Sequence, residues 1–190
     1  LIMSKYKKTW IAFFSQTGSE IVALSDAIGR TPDLIVTNRE LYQLNLHPRL
    51  KSLGTIMYAK HDRLMEYFES TNLYSSESTI ITLHAYLRIV SESMCRKYRI
   101  FNGHPAAIDL YPELKGKDPQ ARTWENKEKY KFIGSVVHEV IPAVDEGKIV
   151  KTMHFTNTAQ SLDDTFNMLK TASLSAWTFA AKEIGLCELE

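Results

Sequence analysis

Short apolar runs and helix-period stretches alternate along the chain. Lys8-Thr9-Trp10-Ile11-Ala12-Phe13-Phe14 is the kind of run that fills a strand buried on both faces of a parallel sheet. Ser15-Gln16-Thr17-Gly18-Ser19 breaks it with small polar residues. Glu20 to Ile28 then sets Ile21, Val22, Leu24 and Ile28 at helical spacing, with Gly29 suited to the helix end. Asp33-Leu34-Ile35-Val36-Thr37 reads as a second strand, so the start of the chain is one βαβ unit. Such a unit requires a right-handed crossover and predicts an open α/β sheet.

From Asn38 to Ser78 the pattern is weaker, with Ile56 placed in a strand and Asp62 to Phe68 in a helix. Ser78 to Leu83 is a buried strand, and Arg99-Ile100-Phe101-Asn102 is another, stopped by Gly103 and Pro105. A loop rich in proline, glycine and charge runs from Pro105 to Pro119, followed by a helix over Gln120 to Glu128. Gly134 to Ile141 and Lys148 to Phe155 read as strands facing each other across Pro142-Ala143-Val144-Asp145-Glu146-Gly147. Ser161-Leu162-Asp163-Asp164 opens a last helix, its carboxylates complementing the helix dipole. That helix carries Phe166, Leu169, Leu174, Trp177 and Phe179 towards Ile184. Trp124 and Trp177 are read as core side chains. No repeat or linker interrupts the pattern, so one domain is expected over residues 1–190, with Leu1-Ile2-Met3 read as an appended start ahead of a native Met3.

Composition narrows the function classes. Apolar residues make up 44% and charged residues 24% of 190, which excludes a disordered chain and a disulfide scaffold. Twenty-three Lys and Arg against 22 Asp and Glu leave a net charge of +1, which argues against broad phosphate-driven binding to nucleic acid and leaves room for one basic pocket. Cys95 and Cys187 lack CxxC spacing, which points to a reducing compartment and excludes a cysteine zinc knuckle. No apolar run approaches the ~18 residues of a membrane span and no signal peptide is visible, so a cytoplasmic protein without a membrane partner is expected.

Two groups of residues carry candidate chemistry. Ser15, Gln16, Thr17, Gly18 and Ser19 form a strand-to-helix turn whose backbone N–H groups suit a phosphate, although the same residues also make an ordinary capped turn. They match neither a dinucleotide fingerprint nor a triphosphate loop. Asn102 and His104 stand two positions apart at a strand end, so both project on one face, and open α/β folds bind ligands at the carboxyl ends of their strands. An amide and an imidazolium are donors for a developing oxyanion. Asp145 could hold His104 protonated or shuttle protons through a water, with Gly147 permitting close backbone approach. Taken by themselves, Asp145-Glu146-Gly147 are also good turn residues. His47, His61, His84, His138 and His154 show no HxxxH or HxH spacing, so no metal is expected. His138 is either a partner of the site or a hydrogen-bonding group within the sheet.

Phe101-Asn102-Gly103-His104-Pro105 followed by Val144-Asp145-Glu146-Gly147-Lys148-Ile149 resembles the paired signature of the folate-dependent formyltransferases, most closely the phosphoribosylglycinamide (GAR) formyltransferases. Ser15 to Ser19 sits where that family has its phosphate loop. Tyr86-Leu87-Arg88-Ile89-Val90-Ser91 resembles the segment lining the folate pocket, and Gly134-Ser135-Val136-Val137-His138-Glu139-Val140 resembles the strand leading to the catalytic aspartate. The resemblance implies a Rossmann-like, mostly parallel twisted sheet with helices on both faces. It further implies formyl transfer from 10-formyltetrahydrofolate, as co-substrate, to the amine of a small phosphorylated acceptor. Asn102, His104 and Asp145 take the catalytic places, with Asp145 relaying protons through an ordered water. Leu87, Arg88, Ile89, Val90, Val140 and Val144 take the folate-binding places, and Ser15 to Ser19 hold the acceptor's phosphate.

Three departures bear on the acceptor. Gln16-Thr17 replaces the usual Gly-Asn of the phosphate loop. Ala106-Ala107-Ile108-Asp109-Leu110-Tyr111-Pro112 replaces Ser-Leu-Leu-Pro and continues into Lys115-Gly116-Lys117-Asp118-Pro119, similar to the Arg-Gly-x-x-Pro loop of the transfer-RNA and sugar-nucleotide branches. Ser173 stands where GAR enzymes commonly have a glutamate. Lys115 and Lys117 either gather a phosphate or the folate tail, or are solvated loop charges. The length and net charge are expected to favour the single-domain GAR branch over the transfer-RNA branch. The acceptor expected is phosphoribosylglycinamide in purine biosynthesis, with another amino nucleotide or amino-sugar nucleotide as the alternative. A silent relative that only binds folate or nucleotide is the reading from a different class. Monomer and homodimer both stay open.

Overall fold

The computed structural model describes residues 4–190, so the appended start read at Leu1-Ile2-Met3 lies outside the described residues. The chain divides into two compact units, one running to Asn102 and taking in Ala181–Glu190, the other spanning Gly103–Ala180.

The first unit holds β1 (Thr9–Phe14), α1 (Ser19–Ile28), β2 (Leu34–Thr37), the short α2 (Leu50–Leu53), β3 (Ile56–Tyr58), α3 (His61–Ser70), β4 (Thr79–His84), α4 (Glu92–Lys97) and the start of β5 (Arg99–His104). Its strands run parallel in the order β3-β2-β1-β4-β5. Trp10, Ile11, Phe13 and Phe14 are fully buried in the central strand β1, which is why that stretch is apolar throughout rather than alternating. Each such side chain contributes roughly 1.5–3 kcal/mol. Gly29 closes α1 in the left-handed conformation at φ 67°. The last residues are tied in by Arg30, buried against the Tyr6 ring, which donates to the Leu186 and Lys8 carbonyls (2.6 Å each) and to Asp33 (2.9 Å). Helix α4 had no sequence signal beyond Ser91, whose hydroxyl accepts the Met94 N–H as an N-cap.

The second unit holds the end of β5, α5 (Pro119–Glu125), β6 (Phe132–Glu139), β7 (Ile149–Thr156) and most of α6 (Leu162–Glu183). Strands β6 and β7 pair antiparallel, with an irregularity between Val137 and His138. Several boundaries differ from the sequence reading. Strand β5 continues through Gly103 to His104, because the Trp177 indole occupies the space a Cβ at residue 103 would take. Helix α5 ends at Glu125, three residues early, where Asn126 Nδ2 turns back to the Arg122 carbonyl. Strand β6 ends at Glu139 rather than Ile141. Trp177 is fully buried, as expected of a core residue, whereas Trp124 is only half-buried. Ser161 caps α6, its hydroxyl accepting the Asp164 N–H at 3.0 Å. The seven strands, five of them parallel, make the α/β class expected from the sequence.

Candidate active site

In the second unit the end of β5 and the turn after β6 bring three titratable side chains together. His104 is buried, and its Nε2 lies 2.9 Å from the Leu114 carbonyl oxygen. A carbonyl only accepts, so Nε2 carries a proton and Nδ1 is the nitrogen left for chemistry. That Nδ1 faces Asp145 Oδ2 at 3.4 Å. The other carboxylate oxygen, Oδ1, lies 3.4 Å from His138 Nε2. His138, buried on β6, uses Nδ1–H to bind the Glu139 carbonyl at 2.8 Å. Asp145 Oδ2 also accepts the Gly116 N–H at 2.9 Å. Asp145 thus sits between two imidazoles, each with its opposite nitrogen committed to a backbone carbonyl.

The backbone around this cluster is tightly specified. Asp145 adopts a left-handed φ of 55°, which aspartate tolerates better than most residues. A Cβ on Gly147 would come 1.6 Å from the Glu139 carbonyl oxygen, so only glycine lets the turn close there. Buried Ser135 donates to the His104 carbonyl at 2.9 Å and fixes the strand end. Lys115 pairs with Glu146 at 2.8 Å, which joins the loop after His104 to the loop holding Asp145.

Electrostatics divide the labour. Burial pushes the His104 imidazole below its usual range, opposed by Asp145 and by the bond to the Leu114 carbonyl, and reinforced by the charges of His138 and Arg122. Burial would raise Asp145, but the His138 hydrogen bond, the His104 charge and the Gly116 N–H outweigh it and hold the carboxyl at about 2. An acid that strong stays ionised at neutral pH. It is suited to stabilising an imidazolium and ill suited to carrying a proton itself.

Asn102, the last residue of the first unit, is half-buried and stands two positions before His104 on the same strand. Elsewhere in that unit, the stretch expected to cradle a phosphate is partly committed to the protein's own bonds. Ser15 donates its N–H to the Ala85 carbonyl (3.1 Å) and its hydroxyl to Asn38 Oδ1 (2.6 Å), while accepting the Leu87 N–H (2.9 Å). Both its donors are spent, so Ser15 latches loops together and cannot donate to a phosphate. The Ser19 N–H is taken by Thr17 Oγ1 at 3.2 Å. Gly18, at φ 72°, has no room for a Cβ against Leu50, and Gln16 is exposed. Glu20 lies in the first turn of α1, with Oε1 2.7 Å from Nδ1 of buried His84. That carboxylate already answers part of the positive end of the helix dipole, and the sequence reading missed it.

Of the residues assigned to folate, Leu87, Arg88 and Ile89 are exposed in the first unit, the two apolar ones at 60% and 69%. Val90 is buried in the core. In the second unit Val140 is half-buried and Val144 exposed. Lys115 is paired with Glu146 rather than free to gather an anion, and Lys117 is exposed. The groups that sequence reasoning missed around His104 are the Leu114 carbonyl, the Gly116 N–H and Arg122. Two are backbone atoms, which carry no sequence signal.

A family model described as formyl transferase matches residues 58–173. The chain is similar to the solved structure of glycinamide ribonucleotide transformylase 1 from Symbiobacterium toebii, with a TM-score of 0.77 at 16% identity over 98% of this chain and 91% of that one. Phosphoribosylglycinamide formyltransferase from Streptococcus pneumoniae gives 0.74 at 19% identity, covering 93% of this chain and 98% of the other. The corresponding structure from Anaplasma phagocytophilum gives 0.76 at 17% identity, covering 95% and 87%. No curated protein matches the sequence at a significant level. Among the described residues no helix is long and apolar enough to cross a membrane.

Proposed function

The chain belongs to the formyl transferase family, and from that premise we propose that it moves a formyl group from 10-formyltetrahydrofolate to the amine of a small phosphorylated acceptor, phosphoribosylglycinamide in purine biosynthesis. The reading takes residues 1–190 as one catalytic domain acting in the cytoplasm. The observation that carries it is the placement of ionised Asp145 against Nδ1 of a His104 whose Nε2 is already bound. Attack of the amine on the formyl carbon puts negative charge on the formyl oxygen. Once protonated at Nδ1, with Asp145 stabilising the imidazolium, His104 offers that N–H to the oxygen, and Asn102 offers its amide. As the new carbon–nitrogen bond forms and the bond to the folate nitrogen breaks, the amine loses a proton and the folate nitrogen gains one. In the first unit exposed Leu87 and Ile89 offer apolar surface to the folate ring, and Arg88 offers charge to its acidic tail.

Glu20 bears on which part of the acceptor meets this turn. A carboxylate in the first turn of α1 suits sugar hydroxyl groups, which phosphoribosylglycinamide and an amino-sugar nucleotide, the alternative acceptor, both carry. Release of tetrahydrofolate, followed over a panel of phosphorylated amines with the wild type and His104→Ala, tests both readings. Turnover on one acceptor, lost in His104→Ala by about 10²-fold or more, supports formyl transfer through this site. Equal rates for the two proteins overturn it.

A further inference from the structure

The loop that supplies both backbone partners of the catalytic pair is itself held by one side chain. Arg122 Nε donates to the Lys117 carbonyl at 2.9 Å, Nη1 to Glu113 at 2.7 Å, and Nη2 to Leu114 at 3.1 Å and Lys115 at 2.7 Å. Four carbonyls of a five-residue loop thus fold around a single guanidinium. Within that loop the Leu114 oxygen also accepts from His104 Nε2, and the Gly116 N–H donates to Asp145 Oδ2. One lone pair of the Leu114 oxygen serves Arg122 and the other serves His104.

From this geometry we propose that Arg122 is a positioning residue for formyl transfer: it sets the loop that fixes which nitrogen of His104 carries the proton and where the Asp145 carboxylate points. The inference rests on the reading that His104 and Asp145 carry the reaction. Arg122 acts through main-chain atoms and touches neither reacting group in the role assigned to it. The charged and titratable groups facing His104 are Asp145, His138 and Arg122, with the Lys115–Glu146 pair joining the two loops.

Lysine cannot reproduce this arrangement. An ammonium gathers carbonyls that converge on a point, as Lys97 does in the first unit, where its Nζ closes α3 by binding Phe68, Glu69 and Thr71 at 2.8, 3.0 and 2.8 Å. The carbonyls of residues 113, 114, 115 and 117 instead lie around a planar fork, which only guanidinium supplies.

The test substitutes Arg122→Lys and Arg122→Ala in the full chain. It reads the His104 ring by two-bond proton–nitrogen NMR across about pH 5–8, together with kcat and KM. The Nε2–H tautomer of the wild type is expected to give way to a mixture in Arg122→Lys. Its kcat should fall about 10–100-fold, as for loss of a partner orienting a functional imidazole, while KM for folate stays within about twofold. Guanidinium ion added to Arg122→Ala should recover part of kcat. Lys97→Met supplies the comparison, because it removes an equally bonded cation away from this loop; it should lower Tm without altering the His104 signals. If Arg122→Ala fails to fold, Arg122→Lys alone decides. A wild-type tautomer and pH–rate profile in Arg122→Lys, or an equal fall of kcat in Lys97→Met, overturns the proposal. A fully active His104→Ala would instead overturn the catalytic reading, and the tautomer measurement would still decide whether Arg122 sets the ring.

Discussion

Trp177 lies directly against Gly103, so close that an ideal Cβ on the glycine would stand 2.4 Å from the indole Nε1 and 3.1 Å from Cε2. The glycine separates Asn102 from His104, and strand alternation turns its own face away from theirs. The last helix therefore buttresses the back of the strand that carries Asn102 and His104.

Gly103→Ala forces either the buried indole or the strand to move. Overpacking of this kind costs about 1–3 kcal/mol, and any shift of β5 displaces His104 from the Leu114 carbonyl. The variant is expected to melt several degrees lower and to lose kcat. Trp177→Phe in the same chain should restore part of both losses by removing the clashing edge. Thermal denaturation and steady-state kinetics of the two single variants and the double variant measure that coupling, and strictly additive effects would disprove the contact.

Gly147→Ala should be more damaging, because the atom it meets is the Glu139 backbone carbonyl at 1.6 Å, not a side chain that can swing aside. That carbonyl holds His138 Nδ1, and the Glu139 N–H binds Lys148 at 2.9 Å. The turn must open, taking Asp145 away from both imidazoles. A stability loss above about 2 kcal/mol and no measurable turnover are expected, checked by urea unfolding and the tetrahydrofolate-release assay. A stable, active Gly147→Ala would show that the turn is not confined as described.

These two glycines show how unevenly the sequence reveals the molecule. The run Trp10 to Phe14 announces its strand because it is buried on both faces, and Asp145-Glu146-Gly147 announces its turn because the residue chemistry is local. Gly103 reads as a strand breaker, since nothing nearby in sequence says that an indole 74 positions later fills the missing Cβ. Glu20 and His84 meet across 64 positions, and the pairing of His104 with a main-chain carbonyl depends on how the loop folds. Val90 takes a folate-binding place only by the resemblance of its segment, and in Leu87-Arg88-Ile89-Val90 it is the residue that turns inwards. Local periodicity accounts for the elements; long-range contacts decide which polar groups are spent.

Acid should destabilise the fold in two steps. His104 has a folded pKa below its usual value, so its contribution is complete above about pH 6.5 and is lost as pH falls from there towards the folded value. Asp145, held at about 2, contributes stability that is complete above its ordinary 3.8 and is lost as pH falls towards 2. The Asp145 step is of order 2 kcal/mol. Urea midpoints measured from neutral pH downwards should decline in both windows. Asp145→Asn should abolish the lower step, and a wild-type-like decline below pH 4 in that variant would show that other carboxylates account for it.

Glu20 offers the sharpest test of what the start of α1 binds. A phosphate placed over Ser15 to Ser19 would find Ser15 without a free donor, the Ser19 N–H already bound to Thr17, and a carboxylate in the same helical turn. Repulsion at that range opposes the attraction of the helix terminus, which is itself worth only about 0.3–1 kcal/mol at an exposed site. Glu20→Gln keeps the shape and removes the charge. If the acceptor's phosphate sits there, its KM should fall about two- to fivefold, and inorganic phosphate should inhibit more strongly by a similar factor. If the acceptor instead presents hydroxyl groups to the carboxylate, Glu20→Gln should raise KM and leave phosphate inhibition unchanged. The two placements of the acceptor therefore move KM in opposite directions on one substitution, and an unchanged KM would place the acceptor away from this turn.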